Sequence, residues 1–158
     1  MKNHFQLLSI LFLCTALLAC SKGNGDAPAG PSSSFIFSAN DSLISFPVNL
    51  AYTQDVYDVH TTLISGQYKD TSTRKGNISF RLIGDTTGRY HGDSLLVTYT
   101  NAAGNIYYNT GDSTNFVLVN KFEKKYNGIV SGSFSLKVSN AEDSIQFSQG
   151  SFTALYQD

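Results

Sequence analysis

The residues that could do chemistry in this chain are few. Histidine occurs at His60 and His91 beyond the N-terminal segment, glutamate only at Glu123 and Glu142, and serine throughout. Nucleophilic catalysis needs a hydroxyl or thiol beside a base that can take its proton. Serine is plentiful, but the G-x-S-x-G turn that exposes a nucleophile in one common hydrolase design is absent. Glycoside hydrolysis needs two carboxyl groups roughly 5–10 Å apart across a cleft, and both glutamates stand in or beside polar, turn-like stretches. Metal binding has a slightly better claim. "GDTTGRYHGDS" (84–94) and "TGDSTN" (110–115) offer Asp85, Asp93 and Asp112 as hard oxygen ligands. The EF-hand spacing is missing, and Gly-Asp-Ser/Thr is ordinary turn chemistry, with the carboxylate accepting from nearby backbone N–H groups. No H-E-x-x-H and no zinc-type cysteine spacing occurs. The expectation is a protein with no catalytic residue, no metal and no cofactor, and an envelope hydrolase is the least favoured alternative.

The thiols tell more. Cys14 and Cys20 are the only cysteines. Lys2 precedes an apolar run over residues 5–19, "FQLLSILFLCTALLA", too short for the roughly 20 residues that cross about 30 Å of hydrocarbon but right for a secretory signal. Its end, Leu17-Leu18-Ala19-Cys20, resembles the bacterial lipobox. That resemblance implies cleavage before Cys20, a thioether-linked diacylglycerol on its sulfur, and a further acyl chain such as palmitate on the new amine. Two or more chains anchor stably where one binds only marginally. Cys14 leaves with the signal, so no thiol remains for a disulfide, a metal or catalysis.

The elements follow from composition and pattern. Residues 21–34, "SKGNGDAPAGPSSS", are small and polar and bury too little to fold; as a coil they reach about 20 Å. From Phe35 onward the hydrophobic period is two. In "NISFRLI", Ile78, Phe80 and Leu82 share a face; in "SLLVTYT", Leu95, Val97 and Tyr99; in "GSFSLKV", Phe134, Leu136 and Val138; in "GSFTALY", Phe152, Ala154 and Tyr156. Asn40-Asp41, the stretch Asn101 to Asn105 and Tyr126-Asn127-Gly128 supply turns between strands. Pro47, which cannot donate to a ladder, marks an edge strand or a bulge. Gly76, Gly132 and Gly150 open similar G-[NS]-[IF]-[ST] segments, which reads as a common way to begin a strand rather than as a repeat. The fold expected is all-β, an antiparallel β-sandwich or small barrel. Residues 1–19 form a lipoprotein signal peptide, 20–34 the lipidated cysteine and flexible linker, and 35–158 one β-domain.

The C-terminal stretch, "GIVSGSFSLKVSNAEDSIQFSQGSFTALY" (128–156), resembles the last hairpin of small Bacteroidota-type outer-membrane lipoproteins of a domain-of-unknown-function family. The matching residues are Val130-Ser131-Gly132-Ser133-Phe134 and Ile145 through Phe152. The resemblance implies a lipid-anchored all-β domain at the outer membrane, facing periplasm or cell surface, and brings no catalytic residues with it.

Binding is the remaining function. Lysine and arginine number 11 against 12 acids, with no clustered basic surface to meet nucleic acid. Nine tyrosines and no tryptophan suit contact through a ring with a hydroxyl handle. Tyr107 and Tyr108 are neighbours, so one of them faces outward in a strand. Together with Tyr126 they are the expected ligand contacts, and Lys121, Lys124 and Lys125 beside Tyr126 form a basic turn. The sequence thus reads as a membrane-anchored, non-enzymatic binding or structural domain with a protein or glycan partner. A cell-surface carbohydrate-binding module is the alternative, favoured if tyrosines and an Asn or Asp converge on one concave face.

Overall fold

The computed structural model describes residues 32–68 and 76–157. The expected signal peptide, Cys20 and the expected linker up to residue 31 lie outside the described residues. The described chain is all-β: β1 (Ser34–Ala39), β2 (Ser42–Phe46), β3 (Val48–Val56), β4 (Val59–Gln67), β5 (Asn77–Ile83), β6 (Gly88–Tyr90), β7 (Leu95–Thr100), β8 (Ile106–Asn109), β9 (Phe116–Phe122), β10 (Ile129–Ser139) and β11 (Ser144–Tyr156), with one 3-10 turn at Gly92–Ser94. Among the described residues, no helix is long and apolar enough to cross a membrane.

The eleven strands make one sheet in the order β2-β1-β11-β3-β4-β5-β7-β8-β10-β9-β6, and β10 also pairs with β11. That last pairing closes a ring of β11, β3, β4, β5, β7, β8 and β10, which makes the fold a small barrel. Two short seams complete the ring. Leu155 and Tyr156 pair in parallel with Leu50 and Ala51, and Val138 and Ser139 pair with Asn109 and Tyr108. The β11–β3 seam is the one departure from antiparallel pairing between named strands. β1 and β2 continue the sheet beyond β11, and β9 and β6 continue it beyond β10.

The period-two pattern sets the inside. Ile78, Phe80, Leu82, Val97, Leu136, Val138 and Ala154 are wholly buried, and Leu95, Tyr99, Phe134, Phe152 and Tyr156 nearly so. Aromatic rings dominate this core. Phe80 meets Phe134 edge-on at 4.9 Å between centroids, and Phe37 meets Phe147 at 4.7 Å, within the range where such pairs add about 1 kcal/mol beyond burial.

Two glycines make room for these rings. Gly132 lies opposite Phe152, and Gly150 opposite Phe134. A Cβ on Gly150 would stand 2.5 Å from the Phe134 ring, and one on Gly132 would stand 2.8 Å from Phe152. The G-x-F segments of β10 and β11 are thus a reciprocal pair, each glycine receiving the other strand's ring. Gly76 belongs to a different setting, at positive φ against the Thr100 carbonyl.

The turns are built as their residues dictate. Asn40 and Asp41 both take positive φ (46° and 63°), and Asn127 does so at 56°. Pro47 sits in the bend between β2 and β3, where the chain passes from the β1–β2 extension into the barrel ring. The β3–β4 hairpin turns on Tyr57-Asp58, again both at positive φ (50° and 63°), and no Asn or Gly announces it in the sequence.

Candidate functional site

The five strands β3, β4, β5, β7 and β8 form one wall of the barrel. Their inward positions are core, so the alternate positions face out in register. One row runs Tyr52, Leu63, Arg81, Leu96 across β3, β4, β5 and β7. The next runs Leu50, Ser65, Ser79, Thr98, Tyr108 from β3 to β8, and the third Gln67, Asn77, Thr100, Ile106. Arg81 is the one charged side chain in these rows. Tyr108 is 52% exposed, and Leu50, Tyr52, Leu96 and Ile106 are exposed with it. Strands about 4.8 Å apart and rows about 7 Å apart make the wall about 20 Å wide, with an apolar side chain at each margin and hydroxyls between.

Such a surface suits contact better than catalysis. The centre of a protein interface is depleted in charge and enriched in Tyr and Arg, and those two residue types, with Trp, supply most hot spots. The outer wall of a closed ring bulges rather than cups, and Tyr52 and Tyr108 stand at its opposite margins. The concave convergence of tyrosines that would favour a saccharide is not found on this wall.

Of the tyrosines expected to meet a ligand, Tyr108 is on this wall. Tyr107 is a core residue, 3% exposed, with its ring 6.0 Å from that of Tyr99 and its hydroxyl accepting from Asn101 Nδ2 at 3.4 Å. Of the adjacent pair, the outward one is Tyr108. Tyr126 is exposed in the β9–β10 turn. Tyr108 pairs with Ser139 at the end of β10, whereas Tyr126 precedes its beginning. A strand of that length spans about 30 Å, so the two rings belong to different surfaces.

Among the described residues, the titratable groups are spread over separate turns. His60 Nδ1 meets Asp55 Oδ1 across the β3–β4 hairpin, and both side chains are mostly exposed. His91 precedes the 3-10 turn, where Ser94 Oγ bonds the histidine's own backbone N–H and carbonyl rather than its imidazole. Asp85 accepts a hydrogen bond from Lys124 Nζ at 2.6 Å, which together with the lysine's charge holds its carboxyl below the ordinary range. Asp112 accepts from the backbone N–H and hydroxyl of Thr114 at 2.9 and 2.8 Å, and these bonds lower its pKa. Asp85 and Asp112 are therefore engaged in turn contacts of their own. Among the described residues, no three His, Cys, Asp or Glu side chains gather as metal ligands. Glu123 fixes the β9–β10 turn by accepting from the Ile129 N–H at 2.9 Å, and Lys121 pairs with it at 3.0 Å; both contacts depress its pKa. Glu142 lies in the turn at the opposite end of β10.

A cleft of about 400 Å³ opens beside the wall, between the 3-10 turn and the end of β8, and Asp93, Leu95, Leu96, Asn109 and Asn115 line it. Its amides are already committed to the fold. Asn109 accepts from Val97 N–H at 2.9 Å and donates to Leu95 O at 3.0 Å. Asn115 accepts from Lys137 N–H at 2.6 Å and donates to Thr110 O at 2.8 Å. The cleft is therefore a structural joint more than a ligand pocket. No family model matches the chain, and neither a curated protein nor a solved structure does.

Proposed function

We propose that this protein is a lipid-anchored component of a bacterial cell envelope, held by acyl chains on Cys20, whose barrel binds a protein partner and carries out no chemistry of its own. The observation that carries the binding reading is the β3-β4-β5-β7-β8 wall. Leu50, Tyr52, Leu96, Ile106 and Tyr108 are exposed on it in register around a single charge, Arg81. The lipobox-like Leu17 to Cys20 and the small polar linker support the anchor. The likeness of the last hairpin to Bacteroidota-type lipoproteins supports an outer-membrane address.

Crosslinking in intact cells tests the binding reading. A photoreactive residue at Ile106, on the wall, is compared with one at Ser133, on β10 outside the wall's rows and paired with β9 and β11. A discrete protein adduct from Ile106 and none from Ser133 is the expected result. The same adducts from both, or none from either, would contradict it. A glycan partner would instead show as retardation in a polysaccharide gel without a protein adduct. The anchor is tested separately, since the Cys20→Ser protein should leave the detergent phase that retains wild type.

A further inference from the structure

The two ends of the barrel differ in one respect that folding does not require. Tyr57 is 96% exposed at the tip of the β3–β4 hairpin with φ of 50°. A bulky side chain in the left-handed region is an outlier, and Asn, Asp or Gly would serve such a turn better. An aromatic ring placed there at a conformational cost and almost wholly exposed calls for a partner outside the chain. Tyr126, 69% exposed, tips the β9–β10 turn.

Both tips lie at the same end. Asn127 N–H bonds Tyr156 O, and Gln157 N–H bonds Ala51 O, so the β9–β10 turn, the end of β11 and β3 stand side by side. From Ala51, β3 runs on in the direction of β11 to Tyr57. The chain enters the domain towards this end as well. Ser34 lies opposite Thr153, in one row with Ser131 and Lys121, and β1 leads away from it. The described turns at the opposite end, Asn40-Asp41, Asn101–Asn105 and Asn140–Asp143, hold no aromatic residue.

We propose that Tyr57 and Tyr126 form a two-point contact with the phospholipid headgroup layer, so that the barrel stands on this end with its β3–β8 wall turned sideways. The inference rests on the lipid anchor at Cys20. Taken as a coil, the residues from Cys20 to Ser34 would reach about 20 Å on average, whereas β11 alone is about 40 Å long. The end where the chain enters therefore spends its time near the bilayer. Tyrosine favours the membrane–water interface, where its ring is sheltered and its hydroxyl stays wet. A short tether supplies an effective concentration in the millimolar range, so two weak contacts suffice. Most of the cations at this end are paired, Lys121 with Glu123, Lys124 with Asp85 and His60 with Asp55, and Lys125 beside Tyr126 adds one positive charge to the contact.

The chain contains no tryptophan, so Tyr57→Trp, Tyr126→Trp and Tyr108→Trp each add one fluorophore. The full-length lipidated protein is reconstituted into phosphatidylcholine vesicles, with and without brominated phosphatidylcholine. Emission from Tyr57→Trp and Tyr126→Trp should shift to the blue and be quenched by the brominated lipid, while that from Tyr108→Trp should do neither. Adding Tyr57→Asn to Tyr126→Trp should weaken the quenching while the barrel stays folded. Unquenched tips in protein whose Cys20 acylation is confirmed by mass would overturn the contact and leave the anchor standing. Absence of acyl chains on Cys20 would overturn the anchor and the contact together.

Discussion

Gly150 shows how one missing Cβ shapes the core. The Phe134 ring occupies the space that a methyl group on Gly150 would need, and above Gly132 the Leu118 carbonyl and then the Phe152 ring crowd the same position. Overpacking a core costs typically 1–3 kcal/mol. Gly150→Ala should therefore lower unfolding free energy by about 2 kcal/mol in urea titration. Gly111→Ala, with nothing within 4 Å of the added carbon, should change little. Equal stabilities for the two variants would refute the reciprocal glycine–phenylalanine pairing. Carboxylates act at the same scale. Glu123 is held below its ordinary pKa by the Ile129 N–H and then Lys121, and Asp85 by Lys124. A carboxyl whose folded pKa lies below its unfolded value stabilises the fold above the unfolded pKa. That contribution disappears as pH falls through the ordinary carboxylate range towards the folded value. Glu123→Gln should flatten the acid side of the stability profile without altering its slope above neutrality. An unchanged acid limb would show that the turn contact contributes nothing.

At the scale of elements, most strands were legible because their alternation is local. β5, β7, β10 and β11 contain the segments "NISFRLI", "SLLVTYT", "GSFSLKV" and "GSFTALY" almost entirely, and the faces expected to be buried in them are buried. The β3–β4 hairpin was harder to read, since Tyr57-Asp58 lacks the Asn-Gly signature yet takes the same positive φ values. Closure stood in the sequence only as one of two alternatives, sandwich or small barrel, because β11 meets β3 about a hundred positions away and in parallel. The wall depends on closure. Leu50, Tyr52, Leu96 and Ile106 look like ordinary outward residues until the strand order places them side by side, which is why Tyr107 and Tyr126 drew attention instead. The β11–β3 seam is short, and Thr53 Oγ1 and the Tyr156 hydroxyl reinforce it at 2.8 Å. Removing residues 155–158 should open it, and hydrogen exchange should then rise in β3 ahead of β5. Unaltered protection in β3 would mean that the ring does not depend on this seam.

On the scale of the whole molecule, the proposal divides the work between an anchor at Cys20 and the barrel. The core is an aromatic cluster and no cysteine lies among the described residues, a state that a domain of this size sustains by burial. Cys20→Ser should accordingly change where the protein is found and leave its melting temperature as it was. The central claim is that the β3-β4-β5-β7-β8 wall is the binding surface. Its most direct test is the yield of the protein adduct from Ile106 when Leu96→Asp is introduced on the same wall. A charge in place of one of the wall's exposed apolar side chains should weaken binding by at least about tenfold, or roughly 1.4 kcal/mol, and the adduct should fall accordingly in a protein that melts normally. An undiminished adduct would contradict the account.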